Sequence, residues 1–277
     1  MRRIVDFPLT LMLIELVAIV AVGTGYTAVA HMALNKDDDA GYFLGALGLV
    51  VLLVLAWKAL QRWLERRDDR EFALSGADRE LGLGLLYGFA LFSAMTGIVA
   101  LLGGFEVLGL RGQGQLWAML SMAVTTGAIE EIIFRGILLR QIEAMLGTWA
   151  ALITTSLLFG AAHLANPNST LFAAFAIAME AGILLGAAYL YTRRLWLAVG
   201  IHAAWNFTQG WVFSVPVSGQ ASLGLLITRR VGPDWLTGGD FGLEASVPAL
   251  VMATGAGIVL LILAHRRGHF IAPMWRR

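Results

Sequence analysis

Long runs of apolar residues fill most of the chain, with short polar stretches between them. Eight come close to the roughly 20 residues a helix needs to cross the hydrocarbon core of a bilayer. They are Leu9 to Ala30, Gly41 to Ala59, Leu81 to Gly103, Leu116 to about Leu139, Leu146 to Leu164, Thr170 to Tyr191, Leu195 to Val215, and Val247 to Ala264. The third has no charge between Glu80 and Glu106, whereas only the turn from Asn166 to Ser169 separates the fifth from the sixth. The runs are continuous rather than alternating, so they predict helices and not the strands of a barrel. The expected fold is all-α: a polytopic membrane protein of about eight transmembrane helices. We read 1–277 as one integral membrane domain, with a motif-bearing core at 116–215 and a loop at 216–246 between the last two spans.

Composition agrees. Of 277 residues, 58% are hydrophobic and 14% charged, against about 25% charged in soluble domains. That excludes a disordered chain. The absence of cysteine excludes a disulfide scaffold, a thiol enzyme, a zinc ribbon and an iron–sulfur protein. A net charge of +1, with no massed basic segment, gives no case for a nucleic-acid partner. The basic residues do orient the chain. With both termini cytoplasmic, Arg2, Arg3, the stretch from Lys58 to Arg79, Arg140, Arg193, Arg194, Arg266, Arg267, Arg276 and Arg277 fall at the inner face. Only Lys36, Arg111, Arg229 and Arg230 fall outside, and Asp37, Asp38 and Asp39 fit the outer side. The Arg-, Ala- and Gly-rich sequence suggests a bacterial inner membrane. The first span, with basic residues before it and Ala28 to Ala30 at its end, also has features of a cleaved signal peptide, although its apolar run is longer than a usual signal core. The Arg-rich stretch Gln61 to Glu80 reads as a solvated loop or an interfacial helix.

An ionisable side chain in a spanning helix costs roughly 2.5 to 3.5 kcal/mol on insertion scales, so each needs a reason. The fourth run contains Glu130, Glu131 and Arg135; the fifth ends with Phe159 and His163; the seventh holds His202 and Asn206. Glu131 and Arg135 are four apart and share a helix face. Glu130 lies about 100° round from Glu131 and points elsewhere. His202 and Asn206 are also four apart and can face one pocket, and Phe159 is one turn before His163. This suggests that Arg135 neutralises Glu131, leaving Glu130 free to meet His163, His202 and Asn206. Three readings follow. These groups make structural interhelical hydrogen bonds, they form an ion or proton pathway, or they carry out hydrolysis. For hydrolysis, a carboxylate and a histidine take a proton from water, and a further His and Asn donate to the oxyanion.

The order Glu-Glu-x-x-x-Arg, Phe-x-x-x-His, His-x-x-x-Asn on successive spans resembles the CPBP family, which includes the type II CAAX prenyl endopeptidases and bacterial bacteriocin-processing and self-immunity proteins. The stretch Tyr191 to Trp196 is also similar to that family, and the strong likeness runs from Thr126 to about Gly210. The resemblance implies an intramembrane endopeptidase. In it Glu130 and His163 activate water, His202 and Asn206 form the oxyanion hole, and Glu131, Arg135 and Phe159 support the site. The implied partners are the lipid bilayer and a peptide or membrane-protein substrate. The residues suffice for a glutamate-type mechanism without a cofactor. Glu130, His163 and His202 are the set that would hold zinc in a metal-dependent one. The alternatives are a non-catalytic immunity or binding protein on the same scaffold and a proton- or ion-coupled transporter. No His-Glu-x-x-His, Gly-x-Gly-Asp or Gly-x-Ser-x-Gly occurs, which speaks against other protease classes.

Other polar positions read less sharply. Glu180, mid-span, is a protonated interhelical group or a site-lining one, with Gly182 and Gly186 after it in a close-packing spacing. Glu15 reads as structural, Asn166 as a turn residue or a partner of His163, and His31, His265 and His269 as interfacial. At 1.5 Å per residue, Glu130 and His163 lie level if their helices turn near Leu146. His202, only seven residues past Leu195, lies level with them only if its helix begins deeper in the membrane.

Overall fold

The computed structural model describes residues 5–33 and 39–276. Arg2, Arg3, Lys36, Asp37, Asp38 and Arg277, used in the orientation argument, lie outside the described residues, as does the side chain of His31. Apolar sequence becomes helix as expected: α1 (Pro8–Ala33), α2 (Asp39–Ala59) and α3 (Ala77–Leu101). The motif-bearing helix α4 (Leu116–Glu131) runs on through a π-helical stretch, Ile132–Leu139, into α5 (Arg140–Leu146). Next come α6 (Thr148–Ala162) and α7 (Leu171–Ile177), the latter capped by the Thr170 side chain on the Ala173 N–H. A π-helical turn, Ala178–Gly182, leads into α8 (Ile183–Thr192). Helix α9 (Trp196–Phe207) likewise passes into a π-helical turn, Thr208–Val212. The short α10 (Asp234–Thr237) precedes α11 (Val247–Arg266), which starts on a Ser246 cap with proline in its first turn, a strong helix-start signal.

Among the described residues, six helical stretches are long and apolar enough to cross a membrane: Pro8–Ala30, Asp39–Leu64, Ala77–Leu101, Thr148–Ala165, Leu171–Thr192 and Val247–Arg266. The other two expected spans are helical but do not qualify on length and composition alone. The fourth carries Glu130, Glu131 and Arg135, and the seventh is helical only over 196–212. The structure also adds strands the sequence reading lacked. Strand β1 (Phe105–Leu110) pairs antiparallel with β2 (Leu226–Arg230), with a register shift between Val107 and Gly109. A strand this short, away from the apolar runs, gives no periodic signal of its own. The chain is thus nearly all-α, and its long apolar helices make it an integral membrane protein.

Small residues let the central helices close on one another. A Cβ on Gly84 or Gly88 of α3 would fall 2.5 or 2.4 Å from a carbonyl oxygen of α9, and one on Gly182 or Gly186 would strike α6 side chains. The main apolar core lies around Trp57, Ile137, Leu139, Leu152, Leu190 and Leu195. Both described termini lie at the end of the bundle marked by Leu146, where the Thr148 N–H bonds Ile271 O. The segment 216–246 closes the opposite end.

The Arg-rich stretch after α2 is in part the expected solvated loop, with Arg62, Arg66, Arg70 and Arg79 exposed, but it is also anchored to the bundle. A π-helical turn, Leu60–Leu64, leads into irregular chain that folds back onto the bundle, with Phe72 buried and edge-on to Trp57 and Trp196. Lys58 and Asp69 pair at 2.9 Å, Arg67 pairs with Glu71, and Arg140 reaches Glu65 at 2.6 Å. The strap also seats the start of α9: the Leu195 N–H bonds Glu71 O. Leu195 therefore lies beside Gly136 and Trp57, well inside the bundle rather than level with Leu146. This is why His202 reaches the level of Glu131 after only seven residues.

Candidate active site

Three helices bring the motif residues together. In α4, Glu131 is fully buried and its Oε1 accepts from Arg135 Nη1 at 2.9 Å. The other guanidinium arm donates to Ala181 O at 2.8 Å and Gly182 O at 3.3 Å, tying α4 to the turn before α8. The expected Glu131–Arg135 pair is therefore present, and it does more than neutralise charge. The same Glu131 Oε1 lies 2.9 Å from His202 Nδ1. A carboxylate on one ring nitrogen fixes the ring's orientation and directs the other nitrogen, Nε2, outward.

Glu130, one position earlier, turns away from that pair. Its side chain keeps 28% of its exposure, and Oε2 lies 3.9 Å from His202 Nε2. That oxygen is itself buried and meets no hydrogen-bonding partner of the protein. At the end of α6, His163 Nδ1 lies 2.8 Å from Phe159 O. A carbonyl only accepts, so Nδ1 carries a proton, and in the neutral ring Nε2 is the acceptor. The Phe159 ring is almost wholly buried and fills the space between the polar groups. Its centroid lies 4.8 Å from His163 and 6.2 Å from His202, and Arg135 lies over its face at 4.7 Å, a cation–π contact. On α9, Asn206 Nδ2 donates to Thr126 Oγ1 at 3.0 Å, and that hydroxyl donates to Met122 O.

Glu130, His163, His202 and Asn206 line one cavity of about 240 Å³ together with Thr126 and Asn166. Its opposite wall is the segment Val217 to Ser222, so part of the 216–246 loop roofs the site. A second, smaller cavity shares His163, His202, Asn206 and Ser218 with the first and adds Glu180 and Glu244. The roof is anchored from below. Glu244 Oε1 accepts the Ser218 N–H, Gln209 donates to Pro216 O, and the Gly219 N–H bonds Phe241 O. Burial pushes the Glu244 carboxyl up to about 7, against the opposing pull of its hydrogen bonds from Ser218 and Gln209.

The remaining polar residues divide clearly. Glu180 proves to be site-adjacent. Glu15 bonds Gln61, Arg140 and Gln141 at the termini end. His269 bonds Leu190 O and His265 packs edge-on to Phe270. Trp205 stacks edge-on with Phe92, and Trp211 stacks on Phe207.

Sequence reasoning missed Thr126 and Glu244, and it marked 216–246 as a loop between spans without showing which of its residues meet the site. Thr126 was within reach, since it stands one turn before Glu130 on the same face. Glu244 and Ser218 come from a stretch with no period, and only tertiary structure reveals them. As for zinc, Glu130, His163 and His202 share a cavity, but among the described residues no three His, Asp or Glu side chains gather closely enough to hold a metal ion. His202 Nδ1 and His163 Nδ1 are already engaged by Glu131 and Phe159, so only the Nε2 atoms remain for other work.

A comparison with protein-family models gives a match. Residues 112–208 match the family model described as type II CAAX prenyl endopeptidase Rce1-like, about a third of the chain. That segment holds every motif residue named above. The match supports, at the level of the family, a reading as a membrane protease. No curated protein and no solved structure matches the chain.

Proposed function

We propose that this protein is an intramembrane endopeptidase that hydrolyses peptide bonds with a water activated by Glu130 and His163. The observation that carries the reading is the contrast between two adjacent carboxylates. Glu131 is held through Oε1 by both Arg135 and His202 and does not line the cavity, while Glu130 has a buried, unpartnered oxygen and lines the cavity together with His163, His202 and Asn206. A general base needs a lone pair within reach of the proton it takes, and the Glu130 carboxylate and His163 Nε2 both offer one.

In the proposed reaction, a water held between Glu130 and His163 attacks the carbonyl carbon, and its proton passes to Glu130. The carbonyl oxygen becomes an oxyanion facing Asn206 and His202. Asn206 Nδ2 has a second N–H beyond the one it gives Thr126, and His202 as an imidazolium donates through Nε2. Such preorganised donors in a dry site contribute strongly to acyl-transfer catalysis. The C–N bond then breaks, and the proton on Glu130 passes to the leaving amine. Glu131 and Arg135 act by holding His202 and the turn before α8 in place. The proposed substrate is a peptide or membrane-protein segment that enters under the roof at Val217 to Ser222. We place the protein in a bacterial inner membrane, with eight spans and cytoplasmic termini. Among the described residues the basic side chains crowd the termini end, leaving Arg111, Arg229 and Arg230 at the other.

The test uses purified full-length protein in liposomes with a library of quenched peptides. Wild type is expected to cleave, and Glu130→Ala and His163→Ala to lose cleavage while folding normally. Unchanged cleavage in both variants contradicts the assignment. Biological activity that survives in both variants, with no cleavage by wild type, favours a binding or immunity protein. Ion flux into liposomes that is lost in Glu130→Ala favours a transporter.

A further inference from the structure

An enzyme that hydrolyses bonds among apolar helices must keep water at a place water avoids. Behind the cavity that holds Glu130 lies a smaller one of about 30 Å³, walled by His163, His202 and Asn206 on the site side and by Glu180 and Glu244 on the far side. About 10–15 Å³ of such volume admits one water, so this chamber has room for about two. Both acids are nearly inaccessible, at 2% exposure each. Glu180 Oε2 is buried and meets no partner of the protein, and buried polar atoms in native structures are hydrogen-bonded to protein or to ordered water. Most of the chamber wall is apolar, but Glu180, Glu244, His163, His202, Asn206 and Ser218 all reach it, which supplies the two to four polar partners a retained water requires. Glu180 sits in the π-helical turn Ala178–Gly182, a local widening of the kind often found at functional sites. Arg135 grips the carbonyls of Ala181 and Gly182 in the same turn. The turn that places Glu180 is therefore tied to the pair that places His202.

We propose that Glu180 and Glu244 form a water-retention site that holds ordered water directly behind His163, His202 and Asn206 and resupplies the hydrolytic position after each turnover. Glu180 is a positioning residue: it touches the stored water and not the substrate. Glu244 serves twice, lining the chamber and accepting the Ser218 N–H that fixes the roof. Replacing the hydrolytic water from within spares the protein from opening its apolar walls to bulk water. This role rests on the protease reading, but the water site itself does not.

The experiment has two arms. The first is a structure of the full-length protein in lipid at a resolution that shows waters. An ordered water within hydrogen-bonding reach of Glu180 Oε2 is expected in wild type and in Glu180→Gln, and is absent in Glu180→Leu. A dry chamber in wild type overturns the proposal whether or not the protein cleaves anything. The second arm is peptide hydrolysis. Ordering a water costs up to about 2 kcal/mol, so Glu180→Leu is expected to lower kcat by up to about thirty-fold with KM unchanged, and Glu180→Gln to restore it. An unchanged kcat in Glu180→Leu overturns the resupply role. So does an equal loss in Glu180→Gln, because the amide can still hold the water. If Glu180→Leu fails to fold, the wild-type and Glu180→Gln structures and rates still decide the question. A wet chamber in a protein with no hydrolytic activity upholds the site and refutes the protease reading.

Discussion

Two clusters of acidic and basic side chains lie within the helices, built from the same residue types and behaving differently. At the termini end, Glu15 is fully buried, and both its oxygens are met: by Arg140 at 2.9 and 3.0 Å and by Gln61 and Gln141 at 3.1 Å. Arg140 in turn holds Glu65. In the middle of the molecule, Glu131 and Arg135 look similar, but around them Glu130, Glu131 and Glu180 each leave a buried oxygen without a protein partner, and cavities open beside them. A carboxylate with both oxygens met, as in Glu15 although Gln61 Oε1 beside it is unpartnered, locks helices together. An open set of partners leaves lone pairs available to a water or a reacting group. The first cluster therefore reads as structure and the second as chemistry, and mutation should separate them.

The largest effect should come from the open cluster. Glu130→Gln keeps the shape and removes the base, and cleavage should fall by at least about 10²- to 10⁴-fold with thermal stability almost unchanged. Peptide hydrolysis and thermal unfolding on one preparation check this. Asn206→Ala should lower kcat by about 10²- to 10³-fold with little change in KM, as for loss of one oxyanion donor. In the closed cluster the pattern reverses. Arg140→Ala strands Glu15 without its cation and should cost about 3 kcal/mol of stability, seen as a lower unfolding temperature in lipid. The folded fraction should keep its kcat. If Arg140→Ala lowers kcat as Asn206→Ala does, the division between the clusters fails.

The smallest effect concerns pH. Burial alone would raise Glu65, but its hydrogen bonds to Glu15 and Arg140 prevail and leave it at about 2. Its contribution is complete above the unfolded value near 4.5 and fades only as pH falls toward 2. Glu244 runs the other way. With its folded value raised to about 7 from 4.5, the folded state binds more protons between those values, so stability declines as pH rises through that window. Hydrogen exchange, corrected for its intrinsic pH dependence, should show the roof at Val217 to Ser222 loosening from pH 4.5 to 7 while the strap near Glu65 does not. Glu244→Gln should abolish the difference.

Much of this could be read from the chain because membranes impose strong rules. Continuous apolar runs specify helices, and charge inside them is costly enough to mark Glu15, Glu130, Glu131, Arg135 and Glu180 at once. Helical spacing alone predicted that Glu131 would meet Arg135 and that His202 and Asn206 would share a face. It did not reveal that Glu131 also grips His202, since that contact crosses 71 positions of sequence and depends on where α9 begins. That start is set by the strap at Glu71 and Phe72, whose anchors on the bundle, Trp57, Trp196 and Arg140, lie outside the stretch. The roof, β1 and β2 were illegible for the same reason: they are short, irregular and held by long-range backbone bonds.

The central claim is that Glu130 activates water for peptide hydrolysis. The most direct measurement is single-turnover cleavage of a peptide by purified protein in heavy-oxygen water, read by mass spectrometry for wild type and Glu130→Gln. The account predicts heavy oxygen in the new carboxyl group of the wild-type product and no product from folded Glu130→Gln on the wild-type time scale. Labelled product formed by Glu130→Gln at the wild-type rate would contradict it.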